Sequence, residues 1–255
     1  MIIPLHCDIF QCDRLLKDFI NIRLKFTRNK DEFLLKGDDA DKFKLIVSNM
    51  ELFVTKCLIN NEVKNALINT LQTNDMKYPI KNININDYQI NKDLISFKSK
   101  NNVSTVLPNI IIIGLVENEA FQGSFKSNPF NFKTFNLKSI DLIIDDKAFN
   151  IKLDYDSNSY IQAYEKLMNG LNIFGIRGNS VSRKDFANGN SLYFFDLRPI
   201  KSCNGEHNLI KSAIINIQLE FKTKTQNIIN MIVLEEYENQ LNIDKKSKVF
   251  YDIAL

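Results

Sequence analysis

The sequence predicts a mainly β protein, an antiparallel jelly-roll sandwich. Seven or eight short apolar or alternating runs, separated by turn residues, recur from residue 76 onward, with a single helix inside a long connection. This pattern favours a sandwich or jelly roll over a βαβ fold. The clearest run is strictly alternating, with apolar side chains at Ile215, Ile217, Leu219 and Phe221. Such alternation is typical of a half-buried antiparallel strand.

The composition agrees with a β-rich fold but does not decide it. The chain has 34 Ile, 33 Asn and 19 Phe against only 8 Ala and 8 Gly. β-branched and aromatic residues favour strands. An AT-rich genome enriches Ile, Asn, Lys and Phe together, however, so the prediction depends on the pattern and not on the counts.

The first 60 residues are expected to supply three short strands. Met50, Leu52 and Val54 occupy alternate positions, which is typical of a strand with one buried face and one partly solvent-exposed face. The three predicted strands lie at residues 3–10, 20–26 and 43–58. We expect this region to be the less stable part of the molecule.

A short helix and a domain boundary follow. Apolar residues recur every four positions at Val63, Leu67 and Leu71, after a possible cap at Asn60 or Asn61. The turn signal at residues 74–75 and the proline at position 79 then break the pattern. The predicted domains are therefore residues 1–75, with the helix, and residues 76–255.

The second domain is predicted to be a complete jelly roll. Residues 145–147 are interpreted as a hairpin turn, and residues 149–190 as a long insert that contains a helix at residues 157–170. Tyr160, Tyr164, Leu167 and Met168 share one stripe of that helix, and Gly170 is expected to end it in the left-handed conformation. Further strands are predicted at residues 80–90, 94–98, 110–116, 132–144, 192–197, 214–221 and 228–237.

Charge and hydropathy argue against two classes of partner. The chain has 33 Lys and Arg against 30 Asp and Glu, a net charge of +3, and only 6 of the basic residues are Arg. Nucleic-acid binders normally cluster basic residues and favour Arg, so no specific nucleic acid is expected. The longest apolar run is residues 110–113, far short of a membrane span, and the first residues do not resemble a signal peptide.

No catalytic, cofactor or metal site is predicted, so we do not expect an enzyme. The chain has two His, at positions 6 and 207, and four Cys, at positions 7, 12, 57 and 203. These residues lack the spacing of a zinc site, and no motif orients a thiol dyad, so the cysteines are interpreted as reduced structural thiols. No glycine-rich phosphate loop occurs, and the adjacent acidic pairs at 38–39, 145–146 and 235–236 point to opposite faces of a strand.

Several ordered blocks carry residues that strand formation alone does not require. The blocks lie at residues 111–121, 128–132, 135–137, 142–146, 181–189 and 195–199. Together they resemble the major capsid protein of Polinton/Maverick virus-like transposons and the related adintoviruses. A wider resemblance, to the double-jelly-roll capsid proteins of large DNA viruses, rests on residues 192–199, 205–208 and 233–239.

The resemblance implies a structural capsid subunit that forms trimeric capsomers with itself and contacts other capsid proteins. It implies a place in the virion, with assembly in the cytoplasm or nucleus, and makes residues 149–190 a candidate tower loop. Residues 1–60 would supply only the closing strands of a partial first jelly roll. A gene fragment, a truncation and a domesticated copy all fit that expectation. The alternative is a non-enzymatic β-sandwich binding module, derived from a capsid protein or unrelated to one.

Overall fold

The structure is a computed structural model that describes residues 3–17, 20–38, 40–100, 102–104, 106–171, 181–198, 212–246 and 248–251. The strands are β1 (Met76–Ile90), β2 (Ser96–Lys98), β3 (Asn102–Ser104), β4 (Ile110–Glu117), β5 (Leu137–Ile144), β6 (Lys147–Lys152), β7 (Leu192–Asp196), β8 (Ala213–Phe221), β9 (Ile229–Ile243) and β10 (Val249–Tyr251). The helices are α1 (Asp8–Gln11), α2 (Asp31–Leu34), α3 (Asn61–Thr73), α4 (Asn118–Gln122), α5 (Ile161–Gly170) and α6 (Arg183–Ala187), and Ala40–Lys42 forms a 3₁₀ turn.

The strands form two sheets with the order of a jelly roll. Sheet A has the order β1-β9-β4-β7, with β10 also on β9, and sheet B has the order β2-β8-β5-β6, with β3 also on β8. When β2 and β3 are counted as one interrupted strand, the first of eight strands pairs with the last, the second with the seventh, the third with the sixth, and the fourth with the fifth. This nesting defines the jelly roll, so the predicted fold class is confirmed.

The chain divides into two compact units. Unit 1 comprises residues 1–28, 46–82 and 238–254, and unit 2 comprises residues 29–45 and 83–237. In unit 1, the buried Tyr78 donates a hydrogen bond from its hydroxyl to the carbonyl of Leu15 at 3.2 Å. Unit 2 contains sheet B, most of sheet A and the core of the sandwich, whereas residues 76–82 of β1, residues 238–243 of β9 and β10 are assigned to unit 1. The predicted domain boundary near residue 75 stays a prediction.

The strands predicted before residue 60 are absent from the described residues there. Residues 43–60 have no regular secondary structure and are exposed throughout. Met50, Leu52 and Val54 are 59%, 57% and 65% exposed, so the alternation does not bury one face. The strand predictions at 3–10, 20–26 and 43–58 are therefore wrong for the described residues. A strand is stable only when it pairs and packs, and alternation alone provides neither partner.

The core of unit 2 confirms the alternation predicted for β8. Ile215, Ile217, Leu219 and Phe221 are each no more than 3% exposed. The facing sheet contributes equally buried side chains, from Ile111, Ile113 and Leu115 on β4 to Met231 and Val233 on β9. One position departs from the pattern: Asn216, which was expected to be solvent-exposed, is only 8% exposed.

The helices agree in part with prediction. Asn60 caps α3, accepting a hydrogen bond from the Glu62 amide at 3.2 Å, as expected. The predicted helix at 157–170 is α5, which begins at Ile161, and the expectation of a single helix after residue 76 is wrong because α4 and α6 are also present. Gly170 is the last residue of α5 and has no positive φ, so its predicted left-handed cap is wrong too. No helix among the described residues is long and apolar enough to cross a membrane.

Candidate functional site

The candidate site is the end of the jelly roll in unit 2 where four connections meet. They are the β1–β2 turn (residues 91–95), the β4–β5 loop (118–136), the β6–β7 insert (153–191) and the β8–β9 turn (222–228). Backbone hydrogen bonds join each to the next: Asp93 N to Thr225 O at 2.8 Å, Lys222 N to Asn136 O at 2.8 Å, and Phe132 N to Gly189 O at 2.8 Å. The four connections therefore form one interlocked surface.

An aromatic cluster anchors the β6–β7 insert to the core. The rings of Tyr155 and Tyr160 stack at 5.0 Å, and Tyr160 stacks on Phe186 at 6.0 Å. Phe186 meets Tyr164 edge-on at 5.8 Å and Tyr193 of β7 at 6.3 Å. Offset and edge-on ring pairs stabilise beyond the area that they bury. The insert is thus packed on the sandwich through rings from three separate segments.

Two hydroxyl groups within this cluster are hydrogen-bonded to each other. The Tyr155 and Tyr193 oxygens are 2.7 Å apart. Burial raises the pKa of Tyr193 well above its ordinary value, and burial also raises the pKa of Tyr155. Both phenols therefore stay protonated at neutral pH, where the pair holds the insert in place and does not supply an acid or a base.

A polar groove runs between the β4–β5, β6–β7 and β8–β9 connections. It consists of two cavities of about 460 and 640 Å³ that share Thr134, Ala187 and Asn188. The first is also lined by Lys133, Asn131, Lys224 and Asn227, and the second by Tyr155, Tyr160, Arg183 and Lys184, among others. Amide, hydroxyl and basic groups dominate this surface.

The charges of the groove are mostly positive. Its single lining carboxylate, Glu117, is paired with Lys133 at 2.8 Å. Arg183 donates to the Asn158 carbonyl at 3.1 Å and lies 5.3 Å from the Tyr160 ring centre, a cation–π contact. The other basic groups, at positions 184 and 224, are exposed and have no ion pair among the described residues.

A lysine on the β8–β9 turn joins that turn to the base of the insert. Lys222 donates to the carboxylates of Asp154 and of Asp156, the latter at 2.8 Å. The hydrogen bond from Lys222 lowers the pKa of Asp154 from 3.8 to about 2. The same two aspartates raise the pKa of Lys222. Asp154 and Lys222 are therefore both charged over a wide pH range.

A segment from the N-terminal half of the chain packs on the β4–β5 loop. The Phe33 and Phe130 rings meet edge-on at 5.8 Å, and the Gly37 amide donates to the Phe125 carbonyl at 3.1 Å. Lys36 also donates to the Ser124 carbonyl. Residues 29–45 thus belong to unit 2 although the residues on either side of them belong to unit 1.

A buried carboxylate lies on β9. Glu235 is 4% exposed, and its Oε2 accepts hydrogen bonds from Asn86 at 3.2 Å and from the Tyr237 hydroxyl at 3.0 Å. Asn84 donates to the same oxygen at a longer 3.4 Å. Its sequence neighbour Glu236 is half-buried and pairs with Ile110, so the two carboxylates do not form a joint site.

No family model matches the chain. A curated relative, an uncharacterized protein of Caenorhabditis elegans, is 24% identical in an alignment 251 residues long that covers 93% of this chain. The chain spans 59% of the length of that relative.

The chain is also similar to solved viral structures. For the mavirus major capsid protein the TM-score is 0.46 and the identity 13%, over 71% of this chain and 42% of that one. For a chain of the Sputnik virophage the TM-score is 0.46 and the identity 12%, over 71% of this chain and 39% of that one.

Within the part of the chain that the structure describes, the residues weighed for metal or thiol chemistry are not brought together. His6 contacts Gln11 at 3.2 Å, and Cys7 and Cys57 are exposed. Among the described residues, no group of three His, Cys, Asp or Glu side chains could hold a metal ion. Cys203, His207 and the glycines at 175 and 178 lie outside the described residues. The expectation of no catalytic, cofactor or metal site stays a prediction.

The predicted turn at 145–147 is confirmed as the β5–β6 hairpin, in which Asp145 has a φ of 52° and accepts a hydrogen bond from the Ile214 amide at 3.0 Å. Sequence reasoning missed α6 and the groove beside it. The signal for α6 was present: Ser182 and Asp185 have the spacing of a capping box, and both of its hydrogen bonds form. The groove had no comparable signal, because its lining comes from segments far apart in the chain.

Proposed function

We propose that this chain is a structural subunit of a capsid, the major capsid protein of a Polinton/Maverick-type element or a domesticated copy of one. The observation that carries the proposal is the nested jelly-roll order, on which the resembling blocks lie in sequence. Residues 111–121 cover most of β4 and continue into α4, residues 142–146 comprise the end of β5 and the turn to β6, and residues 181–189 contain α6. A packed sandwich offers rigid side faces for lateral packing and needs no active site.

In this proposal the partners are further copies of the chain, three to a capsomer, together with other capsid proteins. The β6–β7 insert within residues 149–190 is the proposed tower loop or inter-subunit contact, because its aromatic anchor gives it a fixed position. The protein would act in the virion and assemble in the cytoplasm or nucleus. It would be neither an enzyme nor a specific nucleic-acid binder.

The second candidate is a non-enzymatic β-sandwich binding module derived from a capsid protein. The observation that favours it is the polar groove at the loop end, which has room for a ligand of several sugar or amino-acid units. A binding module would contact its ligand through the groove and could do so as a monomer. A capsid subunit would contact neighbouring subunits through the side faces of the sandwich.

The test is the mass of the purified protein in solution. Size-exclusion chromatography with light scattering should give a trimer or a larger assembly, and negative-stain electron microscopy of that fraction should show threefold particles. A strictly monomeric product over the accessible concentration range would contradict the capsid proposal and favour the binding module.

A further inference from the structure

We propose that the polar groove at the loop end binds an anionic oligosaccharide, a sugar chain that carries sulfate or carboxylate groups. The groove is the surface lined by the residues of the two adjoining cavities given above. The proposal concerns a ligand site and not assembly, so it holds for a capsid subunit and for a binding module alike.

The first support is the charge of the groove. Its lining includes four basic side chains and one carboxylate, and that carboxylate is already paired within the groove. Lys184 and Lys224 are exposed and have no ion pair among the residues that the structure describes. Asp185, next to Lys184 on α6, accepts a hydrogen bond from the Ser182 hydroxyl at 2.6 Å and is not a lining residue of the groove. A surplus of positive charge therefore faces the groove.

The second support is a set of unused hydrogen-bonding groups. Asn188, Gln226 and Asn227 line the groove and are exposed, and their side-chain amides have no hydrogen-bond partner in the described part of the chain. Each such amide offers two donors and one acceptor. Sugar hydroxyls both donate and accept, so amides of this kind match them, while Lys184 and Lys224 match the acidic substituents.

The third support concerns the aromatic rings, which argue against a single-stranded nucleic acid. Binding of that class depends on open ring faces on which bases stack. Here Tyr160 stacks on Tyr155 and on Phe186, and Arg183 lies 5.3 Å from its ring centre. Phe135, the remaining aromatic residue of the lining, packs against the hydrophobic core. The groove therefore provides charge and polar groups without a stacking platform.

The fourth support is the fixed shape of the groove. Gly189 has a φ of +106°, and a Cβ on it would lie 2.2 Å from Oδ1 of Asn131. Backbone hydrogen bonds join the β4–β5 loop to the end of the β6–β7 insert, from Phe132 N to Gly189 O at 2.8 Å and from Ser191 N to Phe132 O at 3.0 Å. A site that is already ordered loses less entropy when a ligand binds.

The test is isothermal titration calorimetry of the full chain with a heparin-derived hexasaccharide, with uncharged maltohexaose as the matched ligand control. The variant Lys184→Ala/Lys224→Ala removes two groove charges that hold no described contact, so its fold should be intact by circular dichroism. The matched control variant, Lys98→Ala/Lys152→Ala, removes two exposed charges from sheet B.

We expect saturable binding of one hexasaccharide, weakened about tenfold by the groove variant and changed less than twofold by the sheet B variant. Maltohexaose should bind far more weakly. Four results would overturn the proposal: no saturable binding, an equal loss in both variants, equal binding of maltohexaose, or tighter binding of a twelve-residue oligothymidylate at the same salt concentration.

Discussion

Gly170 lets the end of α5 approach the ring of Phe194 on β7, and this contact can be probed with a single methyl group. A Cβ at position 170 would lie 2.2 Å from Cε1 and 2.3 Å from Cζ of that ring. Phe194 is 3% exposed, so its ring has little open space into which it can move. The substitution Gly170→Ala should therefore force either the helix or the ring to shift.

Two effects of opposite sign set the magnitude. Inside a helix, Ala is favoured over Gly by about 1 kcal/mol. Overpacking a filled site costs typically about 1–3 kcal/mol. Gly170 is the last residue of α5, where the helix preference acts only in part. We expect the overpacking to dominate and the free energy of unfolding to fall by roughly 1–2 kcal/mol.

Urea unfolding, followed by circular dichroism and tyrosine fluorescence, measures this change. The chain has 8 Tyr and no Trp, so the fluorescence reports directly on tyrosines such as those packed around the insert. Asn169→Ala, on an exposed position of the same helix, is the matched control. Combining Gly170→Ala with Phe194→Leu should cost less than the sum of the single changes. A Gly170→Ala protein as stable as the wild type would refute the reasoning.

Three further predictions concern the core, the ion pairs and the exposed segment. Leu219→Ala should lower the free energy of unfolding by roughly 2–5 kcal/mol, whereas Gln218→Ala should change it little; equal urea midpoints would contradict the inward alternation. Because Lys222 holds the pKa of Asp154 at about 2 instead of 3.8, the carboxylate stabilises the fold above about pH 4, and this contribution is lost as the pH falls toward 2. Acid unfolding monitored by circular dichroism should lose that step in Lys222→Met. In limited proteolysis with mass spectrometry, the first cut should fall within residues 46–60, which are exposed and lack secondary structure, and uniform resistance would be inconsistent with this.

The sandwich was predictable from sequence because short stretches of the chain specify its strands and one of its turns. The alternation at 215–221 fixes which side chains of β8 face the core, and the apolar run at 110–113 marks a strand buried on both faces. The residues 145–147 likewise predicted a hairpin from three positions. In each case the period or the turn chemistry alone determines the structure.

The failures arise where the deciding contact is distant in sequence. Alternation at Met50, Leu52 and Val54 predicted a strand, yet no strand of the described residues pairs with this segment. Gly170 was interpreted through backbone freedom, whereas the structure uses its lack of a side chain against Phe194, 24 positions away. The groove is likewise lined by residues of three connections that are distant in sequence, so no single stretch of sequence predicts it.

The nested strand order has a consequence for how the chain reaches its native state. β5 and β6 pair locally, with Ile140 beside Ile151, as do β9 and β10 near the end of the described chain. By contrast, Ile113 pairs with Tyr193 across 80 positions, and Phe97 pairs with Leu219 across 122. Each strand pairing shortens the loop that the next pairing must close. Strand pairing can therefore proceed outward from the β5–β6 hairpin, with β1 and β9 joining last. Until that final step the edges of β4 and β9 stay open to strands of other chains. Crowded, newly made copies would therefore face their greatest risk of mispairing late in folding, after most of the core has formed.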